Sequence, residues 1–130
     1  MLKHVDCPEN AGPFGSYSHA IEVPPGARVL HISGQVGADR DGVVPDDAGR
    51  QTELIFENLG RVLSAAGMSP SDLVRLTYFV CNKDDLSAIR AVRDRVLLAP
   101  FPASSLMVVQ ALGRPAWRLE IEALAARVDR

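Results

Sequence analysis

Lysine is nearly missing from this chain. Of its 14 basic residues only Lys3 and Lys83 are lysine and the rest are arginine, so Schiff-base chemistry on a lysine has almost no candidates. Cysteine is as scarce. Cys7 and Cys81 are the only two, which excludes a disulfide scaffold and predicts two reduced thiols. No apolar run approaches the ~18 residues that cross a bilayer. The opening Met1-Leu2-Lys3-His4-Val5 lacks the apolar core of a signal peptide. The expectation is a cytoplasmic protein with no membrane partner. Excess positive charge is absent too: the net charge is −2 and the pI about 5.9. A protein that neutralises many phosphates is usually basic, so nucleic acid is disfavoured as a partner. The three histidines, His4, His19 and His31, and the two cysteines form no His-x-x-x-His or Cys-x-x-Cys spacing, and no metal site is expected. There is no Gly-x-Gly-x-x-Gly or phosphate-cradling loop, and no cofactor is predicted.

What is present is a globular composition, 47% hydrophobic and 23% charged over 130 residues. That length supports one domain, taken as 1–130, with a real core. Residues 8–16, rich in Pro, Gly and Asn, predict an irregular loop. Tyr17–Val23 reads as a strand stopped by Pro24-Pro25-Gly26, and Arg28–Ser33 as a half-buried one. Asp46 or Asp47 can cap a helix whose apolar stripe is Ile55, Leu59, Val62, Leu63 and Ala66, with Gly67 as its stop. Leu73–Cys81 reads as a buried strand. Asp84 or Asp85 then caps a second helix with Leu86, Ile89, Val92 and Val96 inward, ended before Pro100. Ser105–Ala111 and Trp117–Ala125 read as the last strands, joined by a turn at Gly113-Arg114-Pro115. In the final strand Leu119, Ile121 and Ala123 share one face, and Arg118, Glu120 and Glu122 the other.

Strand–helix–strand links favour parallel neighbours, and terminal hairpins favour antiparallel ones. The prediction is one mixed α+β sheet with both helices on one face. The other face, carrying His31, Ser33 and Glu120, has no element left to cover it, which points to self-association. The two glutamates of the last strand are either solvated carboxylates or, if one lies in a cleft, a general base acting on water. Cys81 reads as a small core residue and Cys7 as an exposed one. Ser33 reads as a polar lining residue rather than a nucleophile, because no Gly-x-Ser-x-Gly elbow surrounds it.

The order of motifs resembles one family. Gly15-Ser16-Tyr17-Ser18-His19-Ala20 is similar to the Gly-Pro-Tyr-Ser-x-Ala motif of the RidA family, the YjgF-type enamine/imine deaminases also labelled L-PSP endoribonucleases. Ile32-Ser33-Gly34-Gln35 resembles its second motif. Gln51-Thr52 through Glu57-Asn58-Leu59 to Ala65-Ala66-Gly67 resembles its first helix. Thr77-Tyr78-Phe79-Val80 with Asp84-Asp85-Leu86 resembles the following strand and helix start. Phe101-Pro102-Ala103-Ser104-Ser105 stands where the family has Pro-Ala-Arg-Ser, and Glu120-Ile121-Glu122-Ala123 matches its closing strand. The resemblance spans nearly the whole chain. It implies a chorismate-mutase-like fold, a homotrimer with a central barrel, and a small-molecule ligand in each intersubunit cleft. Carried over by position, Glu120 takes the role of positioning the attacking water, and Tyr17, Ser33 and Gly34 take lining roles.

One departure bears on substrate. The family's arginine after Pro-Ala, which holds the carboxylate of a 2-imino acid, is Ser104 here. Charge-assisted hydrogen bonds contribute about 1.5–3 kcal/mol each and a neutral serine about 0.5–1.5. Ser104 and Ser105 are then expected to hold an uncharged end of the substrate. Arg118, Arg114 and Arg90 are the candidate replacement cations, Arg118 first because it shares the face of Glu120. The turn Ala111-Leu112-Gly113-Arg114-Pro115 also departs from the family's Arg-Leu-Pro-Lys-Gly. The leading expectation is hydrolysis of an enamine, imine or related C=N substrate. The alternative is a non-catalytic small-molecule-binding or regulatory trimer of the same fold. Ribonuclease action, suggested only by the family's other label, ranks last because the chain has neither a basic stripe nor a histidine pair.

Overall fold

A computed structural model describes residues 1–129. Strands β1 (Lys3–Val5) and β2 (Ala20–Glu22) pair antiparallel as a small sheet of their own. Strand β3 (Arg28–Val36) leads to helix α1 (Ala48–Ala65). Strand β4 (Leu73–Val80), helix α2 (Leu86–Val96), strand β5 (Ala103–Val108) and strand β6 (Leu119–Arg127) follow. The main sheet has the order β3-β6-β4-β5, with only β4 and β5 parallel.

Both helices form where periodicity places them, but only α1 has its expected aspartate cap: at α2 Asp85 makes no side-chain cap bond, and Asn82 instead accepts the Asp84 N–H at 2.9 Å in the 3-10 turn that leads into the helix. The Asp47 carboxylate accepts the Arg50 N–H at 2.8 Å and closes the start of α1. At its end Gly67 adopts φ +71°, the Gly67 N–H reaches the Ser64 carbonyl at 3.0 Å, and the Met68 N–H reaches the Leu63 carbonyl at 2.8 Å. That reciprocal pair needs a left-handed residue, which glycine adopts without strain. Ile55, Leu59 and Leu63 are buried against the sheet with Ile89 of α2. The stripe of α2 stops earlier than its period suggests: Val96 is exposed, and the following Leu97 turns inward instead.

Three expectations about strands are corrected. First, the strand expected at 17–23 is only Ala20–Glu22, and its partner is the N-terminal Lys3–Val5 rather than the main sheet. Residues before it are tied by one side-chain and one backbone bond instead: Ser18 donates its hydroxyl to the Phe101 carbonyl and its backbone N–H to the Pro102 carbonyl. Second, the strand expected at 105–111 runs Ala103–Val108, and the last strand runs Leu119–Arg127. Third, those two do not pair. β4 lies between them, and β6 inserts between β3 and β4. The reason is backbone satisfaction. β3, β4 and β6 span nine, eight and nine residues, and β5 only six. The two central strands, β6 and β4, each pair on both sides, while the six-residue β5 and the nine-residue β3 take the edges. The expected packing side is observed: Leu119, Ile121, Ala123 and Ala125 are buried with the helices. Two helices cover one face of a mixed sheet, as expected, and no element of the described chain covers the other.

Candidate functional site

The open face of β6 carries Glu120, Glu122 and Leu124. In register, Glu120 stands opposite Val36 of β3 and Phe79 of β4. The β3–β6 ladder shifts between Ile32 and Gln35, leaving Ser33 and Gly34 outside one-to-one pairing. Such a bulge re-aims the strand locally. Gly34 is required there by close approach rather than by backbone angle. A Cβ at Gly34 would lie 2.2 Å from the Glu120 Oε2 atom, and its φ is not among the positive ones. The chain thus leaves out a side chain at the point where the Glu120 carboxylate lies against backbone. Glu120, Gly34 and its neighbour Ser33 come together at the β3 edge of the sheet.

Tyr17 belongs to a second cluster. Its loop is fastened to α2, where the Ser16 hydroxyl donates to Asp94 at 2.7 Å. That bond first, and the Arg93 guanidinium next, hold the Asp94 carboxyl below its ordinary range. Gly15 packs over Arg93, with a hypothetical Cβ 3.2 Å from Nη2. The Tyr17 hydroxyl accepts the Phe14 N–H at 3.0 Å, and its ring meets His19 edge-on at 6.2 Å. The Ser18 N–H bonds the carbonyl of Pro102, just before β5. The cluster therefore sits at the β5 edge, along with Ser104 and Ser105. Gly34 on β3 is three strand spacings from β5, roughly 14 Å at about 4.8 Å each, and Glu120 on β6 is two spacings from it, roughly 10 Å.

The two serines do not act side by side. Ser104 is in register with Leu76, on the helix side, and Ser105 with Thr77, on the open face. Arg118 is corrected as well. Its guanidinium does not lie with Glu120 but with Asp46 and Asp85, each at 3.3 Å, while its Nε donates to the Asp46 carbonyl at 2.9 Å. These two acids flank the starts of α1 and α2, so attraction draws the side chain to the helix ends, and they raise its pKa, Asp85 most. Arg114 stacks 5.4 Å from the Trp117 ring centroid, and Arg90 is exposed on α2. Cys7 and Cys81 are both half-buried and free. Among the described residues no three His, Cys, Asp or Glu side chains converge on a metal position, and no helix is long and apolar enough to cross a membrane. Arg75 is the residue that sequence reasoning passed over. Alternation along β4 from buried Leu76 and Tyr78 already places Arg75 and Thr77 on the open face.

The family described as Endoribonuclease L-PSP matches residues 8–127. A 2-iminobutanoate/2-iminopropanoate deaminase of Mus musculus is 32% identical over 116 residues, 88% of this chain and 83% of that one. Protein DfrA of Myxococcus xanthus is 34% identical over 114 residues, 86% of each. Among solved structures, YyfB of Yersinia pestis, a Rid-family protein of unknown function, superposes with a TM-score of 0.84 at 36% identity. It covers 97% of this chain and 98% of its own. RidA of Psychrobacter sp. PAMC 21119 gives 0.71 at 27% identity, covering 95% and 98%.

Proposed function

The chain belongs to the Endoribonuclease L-PSP family, which includes the Rid deaminases, and from that premise we propose that it hydrolyses a small enamine- or imine-type C=N compound in a cleft between copies of itself. The observation that carries this reading is the Glu120–Gly34 contact: a carboxylate held against a glycine in a strand bulge, where any larger residue would displace it. In that position Glu120 accepts a proton from water as the water oxygen bonds the imine carbon and the C=N π pair moves to nitrogen. The protonated carboxyl returns its proton to nitrogen. The carbinolamine then collapses to a carbonyl compound and ammonia, so atoms and charge balance.

The cleft between copies follows from the split of the candidate residues. Glu120, Ser33 and Gly34 lie toward the β3 edge, and Tyr17, Ser104 and Ser105 at the β5 edge. Joining the β5 edge of one copy to the β3 edge of the next unites them, and a closed ring of three is the assembly we propose. With Ser104 in place of a clamping arginine, and Arg118 engaged by Asp46 and Asp85, the site suits a substrate whose far end is uncharged.

Ammonia release from freshly generated 2-iminobutanoate tests this. The expected result is turnover far below that of arginine-bearing relatives, with neutral imines hydrolysed faster. Glu120→Gln keeps the size of the side chain but not its basicity, and should lower the rate on the better substrate by about 10²–10⁴-fold. Turnover of 2-iminobutanoate equal to such relatives would overturn the uncharged-substrate assignment. Full activity in Glu120→Gln would overturn the catalytic one and leave the non-catalytic binding trimer.

A further inference from the structure

The helix side of the molecule holds a hollow that the site described above does not use. It lies between α1 and the end of α2, about 240 Å³ in volume, and its walls are Phe56, Leu59, Leu63, Leu73, Val96 and Leu97. Gly60 lines it from the interior of α1. Glycine lowers helix stability relative to alanine, and nothing in the fold asks for it here. Its φ is not among the positive ones, and a Cβ built on it meets no atom within 4 Å. What the missing side chain does is leave the hollow open. Val96, where the inner stripe of α2 stops early, borders the same space. The rim is charged. Glu53 and Glu57, one turn apart on α1, line it together with Arg95. Like charges at that spacing repel each other. Glu53 lies 3.4 Å from Arg95 and 3.9 Å from Arg50, and Glu57 lies 3.7 Å from Arg50. Ion contacts of that length between solvent-facing side chains hold a carboxylate only weakly.

We propose that this hollow is a second small-molecule site, for a compact amine with an apolar body. The body lies over Gly60 among the leucines, and the ammonium is taken by Glu53 and Glu57. Two observations select that occupant. The six wall side chains carry no polar atom, so the part of the ligand that enters is apolar. An apolar cavity of about 150 Å³ takes one benzene ring, and this larger one takes a ring with a short chain. At the rim the carboxylates outnumber the guanidinium two to one, so a positive end is favoured there over a negative one. The hollow is on the helix side of the sheet, opposite the face of Glu120, and its lining includes none of Tyr17, Ser33, Gly34, Ser104, Ser105 or Glu120. The proposal therefore does not rest on the hydrolytic reading or on how copies meet.

Titration calorimetry on the full chain tests it. The probe is 2-phenylethylamine, with 3-phenylpropanoate as the same ring bearing a negative end and methylammonium as the charge alone. The amine is expected to bind about tenfold or more tightly than either comparison. Gly60→Leu fills the hollow from a helical position with room for the side chain. It should melt at or above the wild-type temperature, weaken the amine about tenfold or more, and leave imine turnover unchanged. Glu53→Gln combined with Glu57→Gln should also weaken the amine about tenfold and narrow its lead over 3-phenylpropanoate. Glu120→Gln should leave the affinity unchanged. Five results would overturn the proposal: no binding of the amine, 3-phenylpropanoate bound as tightly, full affinity in Gly60→Leu, full affinity in the double glutamine variant, or binding lost in Glu120→Gln, which would move the amine to the cleft. So would a changed assembly of Gly60→Leu in sedimentation, since the hollow would then belong to a contact between copies. Should Gly60→Leu melt well below the wild type, the double glutamine variant decides, because it removes charge at the rim and leaves the packing alone. Loss of imine turnover in Glu120→Gln is a separate readout, so the two proposals fail independently.

Discussion

At the scale of single residues, two positions have consequences that size and polarity decide. Gly34 has an ordinary backbone, so alanine there costs little in the fold itself. Its Cβ, however, would occupy the place of the Glu120 carboxylate, 2.2 Å from Oε2 and 2.6 Å from Cδ. The carboxylate must swing away. Gly34→Ala is expected to melt near the wild-type temperature yet lose about a hundredfold in turnover, the usual scale for a catalytic group displaced by an ångström. A melting scan beside an ammonia-release assay checks both halves. Tyr78 presents the opposite case. It is buried among core side chains at 2% exposure, and its hydroxyl has no hydrogen-bond partner among the described residues. Burial pushes its phenol far above the ordinary range, with Arg93 opposing slightly. In the unfolded chain the phenol ionises near pH 10, and in the folded chain it stays neutral. The stability this contributes is present below about pH 10 and is lost as pH rises beyond it. Tyr78→Phe should remove that alkaline loss and leave stability at neutral pH unchanged or about 1 kcal/mol higher, because an unmatched buried hydroxyl is deleted. Urea midpoints at neutral and alkaline pH decide it, and a variant weakened by more than 1 kcal/mol at neutral pH would show that the hydroxyl is matched after all.

At the scale of elements, the start of β6 is set by a side chain from α1. Gln51 is fully buried. Its amide nitrogen donates to the carbonyls of Pro45 at 2.7 Å and Ala116 at 3.0 Å, and its oxygen accepts the Arg118 N–H at 3.0 Å. One residue thereby fixes the entry of the strand that carries Glu120. The Arg118 side chain bridges the same region to Asp46 and Asp85, but it is 36% exposed and Asp46 is wholly so. Buried groups left unpaired cost more than exposed ion pairs. Gln51→Leu is therefore expected to destabilise by about 3 kcal/mol, and Arg118→Ala by about 1 kcal/mol or less, in denaturant unfolding of otherwise identical samples. The reverse ranking would place the weight on the ion pair. The helices themselves were legible in the sequence because their signals are local: a stripe of period 3.6 in both, with an aspartate cap and a glycine stop at α1. Strand pairing was not. A turn at 113–115 suggested a hairpin, yet which strands meet depended on β6 having two partners.

At the scale of the whole molecule, the candidate site is divided between the two edges of one sheet. The proposed trimer should sediment as three chains of 14.0 kDa, and a monomer mass at micromolar concentration would refute it. A sharper test mixes two inactive variants. Glu120→Gln damages the β3 side of a cleft and Tyr17→Phe the β5 side. Co-refolded mixtures should regain part of the wild-type activity if the cleft is shared between copies, and none if each chain holds a whole site.

The sequence by itself determined the two helices, the inward side of the last strand, the fold type of two helices on one face of a mixed sheet, and, through ordered motifs, the family. Each of these is written in neighbours a few residues apart or in an ordered spacing along the chain. Only the tertiary structure decided that Glu120 lies against Gly34 across a bulge, that Ser104 and Ser105 face opposite ways, that Arg118 is drawn to Asp46 and Asp85, and that Arg75 donates to Ser105. The opposite facing of Ser104 and Ser105 needed only β5 to start early enough to include Ser104. The contacts of Glu120, Arg118 and Arg75 join residues 30 to 86 positions apart, and one-dimensional pattern carries no record of which distant charge a flexible side chain will reach first.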